Sequence, residues 1–271
     1  MIFRGEDISV LIITDIHLGY EVDISERKGV SFPSLWQSMY ERVERLVGKY
    51  SIDEIYVIGD VKHTITIDRM VNWRDIPKFM EKLSEIAKVT VIPGNHDGEI
   101  EALLPRNILV SDVHGHLLEI DSHKIGLLHG HAWPSDELLD CQIMVIGHNH
   151  PSVRRLKDVS SPEIGRGNRL RASMVIPVVL RSKLSKNCVR RARGQLELND
   201  DDCALVVLPS FNEMLAGVYV NRPKANLQGP LHENGCASLL SSEVYSTDGI
   251  FLGEVADLQA RYDSTSSQRN D

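Results

Sequence analysis

The chain has 271 residues, of which 42% are hydrophobic and 25% charged, and this apolar content supports a folded core and excludes disorder over most of the length. No apolar run approaches the roughly 20 residues of a membrane-spanning helix, and charged residues interrupt positions 1–7, where a signal peptide would be apolar. The formal net charge of −8 identifies no partner by itself, and we expect a soluble, cytoplasmic protein with no membrane partner.

The first half of the chain alternates between buried strands and amphipathic helices. Continuous runs rich in Ile and Val at residues 8–14, 54–58 and 89–92 predict strands that are buried on both faces. Between them, apolar residues recur at helical spacing in residues 34–50 and 73–87. The alternation of strand and helix indicates βαβ units and a parallel sheet.

The second half is richer in strands and poorer in helices. The predicted strands are residues 116–120, 124–128, 144–146, 175–180, 204–208 and 249–253, with a short helical piece at 135–139 and a loop at 160–172. The polar residues 259–271 are expected to form a disordered tail. Because no linker divides the remainder, we expect residues 1–258 to form a single domain.

The four cysteines are scattered along the chain without a CxxC pair. This spacing fits neither a disulfide framework nor a cysteine zinc site. We therefore expect buried or free thiols at Cys141, Cys188, Cys203 and Cys236.

Polar residues follow five of the predicted strands, at the end where each strand stops. The sequence places DxH, GD, GNHD, HGH and GHNH at these points, in this order. In open α/β sheets the loops at the carboxyl ends of the strands converge on one ligand site. One such motif alone could be an ordinary turn, but five in succession indicate a shared site. The side chains concerned are Asp15, His17, Asp60, Asn95, His96, Asp97, His129, His131, His148 and His150.

The mixture of imidazole, carboxylate and amide groups indicates metal binding. Such a set, without thiolate, suits Mn, Fe, Zn, Ni or Co. Seven candidate ligands are too many for one ion, and in a two-metal site one carboxylate bridges the ions, for which Asp60 lies centrally in the motif order. Glycines at positions 59, 94 and 147 would let the backbone approach the ions closely. We expect two divalent ions, with Mn as the first choice.

The order of these motifs resembles that of the calcineurin-like metallophosphoesterases, and the resemblance runs from Asp15 to His150, about half of the chain. It implies a four-layer αββα sandwich, in which two packed mixed sheets are flanked by helices. It also implies two metal sites. One would consist of Asp15, His17, Asp60 and His150, and the other of Asp60, Asn95, His129 and His148.

The same resemblance assigns roles to the residues around the metals. Asn95 would also contact the substrate phosphate, His96 would protonate the leaving oxygen, and Asp97 would orient His96. A histidine side chain can donate a proton near neutral pH, which suits the role given to His96. His131 is an alternative ligand to His129, which we prefer because the family's ligand is the histidine that precedes Gly.

A finer resemblance rests on shorter motifs. The sequence GDVKH at residues 59–63, the late PSFN at 209–212 and LAG at 215–217 are similar to prokaryotic, largely archaeal, phosphoesterases related to the ligase-associated DNA endonuclease. His63 departs from the commoner pattern after the GD pair. It could face the substrate phosphate or simply support the site.

These observations together predict a phosphodiesterase. Two dications would lower the pKa of a water between them and direct the resulting hydroxide at phosphorus. A basic segment from Ser152 to Arg193 carries twelve Lys and Arg against only Asp158 and Glu163, which favours a nuclease-like enzyme that binds DNA or RNA. A solvated loop is the plain alternative for that segment.

Two other functions remain open at this point. A small-molecule phosphatase or cyclic nucleotide phosphodiesterase would use the same metal chemistry without the basic segment. A metal-free binding scaffold would need none of the ligands, and the complete ligand set disfavours it.

Overall fold

Two mixed β-sheets, of five and eight strands, form from the described part of the chain. The computed structural model describes residues 1–66, 69–159, 170–195, 202–215 and 217–267. The strands are β1 (Ile2–Arg4), β2 (Ser9–Ile13), β3 (Glu54–Ile58), β4 (Lys88–Ile92), β5 (Leu109–Val110), β6 (His116–Ile120), β7 (His123–Leu127), β8 (Ile143–Ile146), β9 (Ser152–Val159), β10 (Leu170–Ser185), β11 (Asp202–Val207), β12 (Glu243–Ser246) and β13 (Phe251–Glu254).

The longest helices connect the strands of the first sheet, and shorter ones accompany the second. The helices are α1 (Tyr20–Lys28), α2 (Trp36–Tyr50), α3 (Met70–Ile86), α4 (Lys186–Ala192), α5 (Pro230–Glu233) and α6 (Val255–Ser267), with 3-10 helices at Ile100–Leu103 and Glu137–Asp140. Within the described ranges, none of these helices combines the length and the apolar character needed to cross a bilayer.

The strand order brings the predicted motifs to common sheet edges. The first sheet runs β1-β2-β3-β4-β5, in which β2 to β5 are parallel neighbours and β1 is antiparallel to β2. The second runs β13-β12-β10-β11-β8-β7-β6, with β9 paired to β10, and its parallel pairs are β7 with β8 and β8 with β11. Parallel neighbours end at the same edge, so the loops after them lie side by side.

Three hydrophobic cores separate four layers. Along β2, Val10 and Ile12 face a core between the two sheets, whereas Leu11 and Ile13 face the core under α2 and α3. This two-sided burial explains the continuous apolar run of the first predicted strand. A third core lies on the outer face of the second sheet, under short helices and loops. The predicted αββα sandwich is confirmed.

The basic segment differs from its predicted form. In place of a strand at residues 175–180 preceded by a loop, β10 spans Leu170–Ser185, and β9 pairs with its first half from Ser152↔Pro177 to Val159↔Leu170. Backbone pairing, which does not require apolar side chains, holds this charged ribbon together. Residues 160–169 of the predicted loop lie outside the described residues.

Two further expectations also differ from the structure. Cys188 and Cys236 form a disulfide between α4 and the segment after α5, whereas Cys141 and Cys203 are the buried thiols that were expected. The pairing joins positions 48 residues apart, which sequence spacing could not indicate. Helix α6 continues to Ser267, through most of the stretch predicted to be a disordered tail, and residues 268–271 lie outside the described residues.

Candidate metal centre

Five of the candidate ligands have left-handed backbone conformations. The φ angles are 53° at Asp15, 45° at His17, 51° at Asp60, 68° at His148 and 45° at His150, directly after β2, β3 and β8. Residues other than glycine adopt this region rarely, and such strain clusters at functional sites. The sharp turns bring these side chains back over the ends of their strands.

The candidate ligands fall into two groups that meet at Asp60. The ligand atoms within each group lie within 4.8 Å of one another, and the groups are Asp15, His17 and His150, and Asp60, His129 and His148. Oδ2 of Asp60 is 3.3 Å from Nε2 of His17 and 3.3 Å from Nε2 of His129. One carboxylate oxygen therefore lies between histidines of both groups.

Buried ring nitrogens in these groups lack hydrogen bonds, which fits a cation. In the described part of the chain, Nε2 of His17, His129 and His150 is buried without a hydrogen-bond partner, although each faces a carboxylate oxygen. Nδ1 of His129 donates to the carbonyl of Ile58 at 3.0 Å, which fixes the tautomer and leaves Nε2 free to coordinate. Imidazole nitrogens and carboxylates arranged in this way suit a divalent transition metal.

The candidate ligand histidines differ in pKa. Burial lowers the pKa of His17 to about 3 and that of His148 to about 4. Burial also opposes charge on His129, but the carboxylates of Asp60 and Asp15 raise its pKa to about 9. The same carboxylates that raise the pKa of His129 would also attract a metal ion, and coordination through Nε2 would require that nitrogen to be unprotonated.

The late PSFN motif holds the Asp15 loop in place. Ser210 Oγ donates to the carbonyl of Asp15 at 2.7 Å, and Nδ2 of Asn212 donates to the carbonyl of Ile16 at 3.0 Å. The carboxylate of Asp15 also accepts from Thr14 Oγ1 at 2.8 Å and from the backbone N–H of His148. These contacts connect the two sheets at the site and give the motif a structural purpose.

Two of the predicted glycines permit close approach of the loops. A Cβ at Gly94 would lie 2.2 Å from Oδ1 of Asp60, and one at Gly147 would lie 1.9 Å from Oγ1 of Thr14. Both distances are far below van der Waals contact, so no other residue fits without moving the candidate ligands.

Asp97 has different contacts from those predicted. Its buried carboxylate accepts hydrogen bonds from the backbone N–H groups of Val61, Lys62 and Gly94, at 2.9 Å for Val61 and Gly94. Burial and the nearby Asp60 charge raise its pKa. The prediction that Asp97 orients His96 is therefore replaced by a contact that fastens the loop after β3 to the loop after β4.

His96 is instead held by backbone groups. Its N–H donates to Oδ1 of Asp60 at 2.9 Å, and its ring Nδ1 contacts the carbonyl of His63. The ring centroid is 4.9 Å from that of His17. Asn95 is exposed in the same turn, one residue before His96.

His63 and His131 lie outside the two ligand groups that contain a carboxylate, and His63 forms a third group of candidate ligand atoms with His17 and His96. His63 is half-buried, with Nδ1 at 3.4 Å from Nδ1 of His17 and Nε2 at 3.6 Å from Asp23, which favours the supporting role over the phosphate contact. The ring of His131 is 5.3 Å from that of His129, but only His129 joins the group of Asp60 and His148.

Sequence reasoning missed Lys62 as part of the site. Its side chain is fully buried, and its ammonium group donates to the carbonyls of Thr64, Ile65 and His96. The available signal was a lysine two residues after Asp60, within GDVKH at residues 59–63, which is not specific.

Several basic side chains in the described part of the basic segment are buried or paired with carboxylates. Arg190 and Lys186 are buried, Arg193 pairs with Asp136, Arg181 with Glu243 and Lys183 with Asp202. The number of Lys and Arg residues in the sequence therefore overstates how much positive charge this segment offers to a polyanion.

Comparisons with known proteins agree with this site. A family model described as calcineurin-like phosphoesterase matches residues 8–176. A probable metallophosphoesterase of Methanothermobacter thermautotrophicus is 28% identical over 93 residues, covering 31% of this chain and 49% of that protein, so the match spans about half the length of that relative.

Solved structures are also similar, at lower identity. Nuclease MPE of Pseudomonas putida has 18% identity and a TM-score of 0.48, with 93% of this chain and 99% of that chain covered. The phosphoesterase Yfce of E. coli has 22% identity and a TM-score of 0.35, with 53% of this chain and 71% of that chain covered.

Proposed function

The chain belongs to the calcineurin-like phosphoesterase family, and we propose that it hydrolyses phosphodiester bonds with two divalent metal ions. The position of Asp60 carries this proposal, since its Oδ2 lies 3.3 Å from a histidine of each ligand group. A carboxylate shared between two groups is what a pair of ions requires.

The ligand groups support one site for each ion. Asp15, His17, Asp60 and His150 would hold the first, and Asp60, Asn95, His129 and His148 the second. When bound, the ions would activate a water molecule and stabilise negative charge on the phosphate oxygens. The donor set suits Mn, Fe, Zn, Ni or Co, of which we propose Mn.

His96 would protonate the leaving oxygen. A carbonyl can only accept a hydrogen bond, so the contact with His63 requires the hydrogen to be on Nδ1 of His96. This leaves Nε2 as the atom that exchanges a proton with the substrate. Such an acid matters most for diesters whose leaving alcohol is a poor leaving group, which favours phosphodiesters as the substrate class.

The neighbouring residues would position substrate and acid. Exposed Asn95 would contact the substrate phosphate as well as the second ion. His63 would support His17 with its ring and orient His96 with its carbonyl. Asp97 would hold the loops after β3 and β4 at the spacing that these contacts need.

The decisive experiment compares a diester with a monoester. Protein loaded with Mn should hydrolyse bis-p-nitrophenyl phosphate faster than p-nitrophenyl phosphate, and treatment with EDTA should abolish both activities until Mn is restored. Faster hydrolysis of the monoester would assign a phosphatase instead. Absence of hydrolysis with every one of the five metals would contradict the proposal.

A further inference from the structure

Two arginines flank one tyrosine beside the candidate metal centre. The guanidinium carbon of Arg154 is 5.7 Å from the centre of the Tyr219 ring, and that of Arg222 is 5.1 Å from the same centre. The side chain of Asn221 also holds the backbone of Arg154. Its Oδ1 accepts a hydrogen bond from the N–H of Arg154 at 3.0 Å, and its Nδ2 donates one to the carbonyl of Arg154 at 2.9 Å. We refer to these three residues as the Arg–Tyr–Arg cluster.

The two cations of this cluster lack an anion. Among the residues that the structure describes, no carboxylate lies within ion-pair distance of either guanidinium, in contrast to Arg181 and Arg193. Nε of Arg154 and Nε of Arg222 are buried and have no hydrogen-bond partner. Buried donors without partners are costly, and two like charges at one ring repel each other, so an anion bound here would relieve both penalties.

The cluster lies on the same face of the sheet as the path to the metal centre. Arg154 and Ser152 are two residues apart on β9 and point to one side, and Ser152 is the bridge partner of Tyr219. Their partners on β10, Val175 and Pro177, share that side. A cleft of about 970 Å³ is lined by Ser152, Val175, Pro177 and the candidate ligand His150. The cleft therefore extends from His150 to the ribbon that carries Arg154, and the three cluster residues lie outside its lining.

We propose that Arg154, Tyr219 and Arg222 bind a phosphate of a nucleic acid strand whose scissile bond lies at the metal centre, an inference that rests on the proposed phosphodiesterase function. Guanidinium groups are the donors best matched to phosphate. A nucleic acid strand is the phosphodiester that presents further phosphates at regular spacing. The chain is extended only from Ser152 onward, so the four residues from His150 to Arg154 span at most roughly 13 Å, which corresponds to at most about four nucleotides at the 3.4 Å rise of one strand.

The first test is the dependence of hydrolysis on strand length. For oligodeoxynucleotides and oligoribonucleotides of two to ten residues, kcat/KM of the wild type should rise with length up to roughly five nucleotides and then level off. The double variant Arg154→Gln, Arg222→Gln should lose this rise, by about tenfold or more on the long strands, and keep wild-type activity on a dinucleotide and on bis-p-nitrophenyl phosphate. Comparison of the two series shows whether the strand is DNA or RNA.

Arg155→Gln is the matched control. Arg155 is exposed, next to Arg154 in sequence and on the opposite side of the ribbon. This substitution removes one positive charge without changing the cluster. The dependence of kcat/KM on strand length should therefore stay as in the wild type. Equal losses in the control and the double variant would show a general charge effect and overturn the proposal, as would an equal loss on dinucleotide and decamer.

A binding measurement separates this proposal from the proposed activity. Fluorescence anisotropy of a labelled decamer in EDTA requires no turnover. The slope of log affinity against log salt should fall by about 0.7 in the double variant, the value for one lost phosphate contact on a single strand. An unchanged slope overturns the cluster as a strand-binding site. Failure of the wild type to hydrolyse any diester, with this slope change observed, contradicts the catalytic proposal alone.

Discussion

The buried ammonium group of Lys62 donates a hydrogen bond to the backbone carbonyl of His96. The same group donates to the carbonyls of Thr64, at 3.0 Å, and Ile65. The side chain is fully buried, and this burial lowers the pKa of Lys62. One side chain thus fastens the loop after β3 to the loop that carries the proposed proton donor.

Replacement of Lys62 by Met should weaken both fold and catalysis. Three carbonyls would lose their donor, and we expect the free energy of unfolding to fall by about 3 kcal/mol, with a lower kcat because His96 is less well positioned. Urea denaturation and steady-state kinetics measure the two effects. Lys78→Met on the exposed face of α3 is the control, and equal stability of the two variants would contradict the assigned role.

The shared position of Asp60 predicts the metal content. Wild-type protein dialysed against Mn should contain about two ions per chain. Asp60→Ala should release both and abolish hydrolysis, whereas Asp7→Ala, at an exposed position, should change neither. Elemental analysis by mass spectrometry gives the counts. Two ions retained in Asp60→Ala would show that this carboxylate does not link the groups.

Loss of His96 should depend on the leaving group. His96→Ala should keep its metal and reduce turnover of a diester with an alkyl leaving group by about 100-fold. The reduction should be smaller for p-nitrophenolate, which needs little protonation when it leaves. If both substrates lose the same factor, His96 acts by positioning the substrate rather than by donating a proton.

The buried imidazole of His232 should make the fold sensitive to acid. Burial lowers its pKa to about 4 from 6.5, so the unfolded chain binds the proton more readily and stability falls as the pH drops through 6.5. By pH 5 this histidine should remove at most about 2 kcal/mol of stability. Urea denaturation at pH 7 and pH 5 measures how much the free energy of unfolding falls between the two pH values. The fall should be smaller in His232→Gln than in the wild type, and equal falls would show that His232 does not cause the acid sensitivity.

The disulfide between Cys188 and Cys236 should stabilise the outer layer of the second sheet. It closes a loop of 48 residues, for which chain entropy predicts about 4 kcal/mol. Mass spectrometry under non-reducing conditions should detect the bond, and reduction or Cys188→Ser should lower the melting temperature. A wild type whose melting temperature does not respond to reductant would contradict this expectation.

The fold, and the meeting of the candidate ligands at one place, could be predicted because they depend on local pattern. The apolar run that became β2 is buried on both faces, and this alone distinguishes it from a half-exposed strand. Asp15 and His150 follow their strands directly, so the parallel order of the sheets decides where they lie. These features need no knowledge of distant contacts.

Contacts between distant segments could not be predicted in this way. Half of the residues of β9 are charged, and only its pairing with β10 reveals it as a strand. Asp97 has the residue type expected of an orienting carboxylate, but it accepts hydrogen bonds from the backbone N–H groups of Val61 and Gly94. Tyr219 and Arg222 approach Arg154 from a segment about 65 residues further along the chain.

The left-handed backbone conformations of the candidate ligands lower the stability of the fold. At His148 and His150 a glycine would adopt the same backbone angles with less strain, by roughly 1 kcal/mol each. A library of random variants that is selected only for resistance to heat should therefore accumulate glycine at these positions and lose its ability to hold metal. Directed evolution of this protein should score turnover together with thermal tolerance in every round.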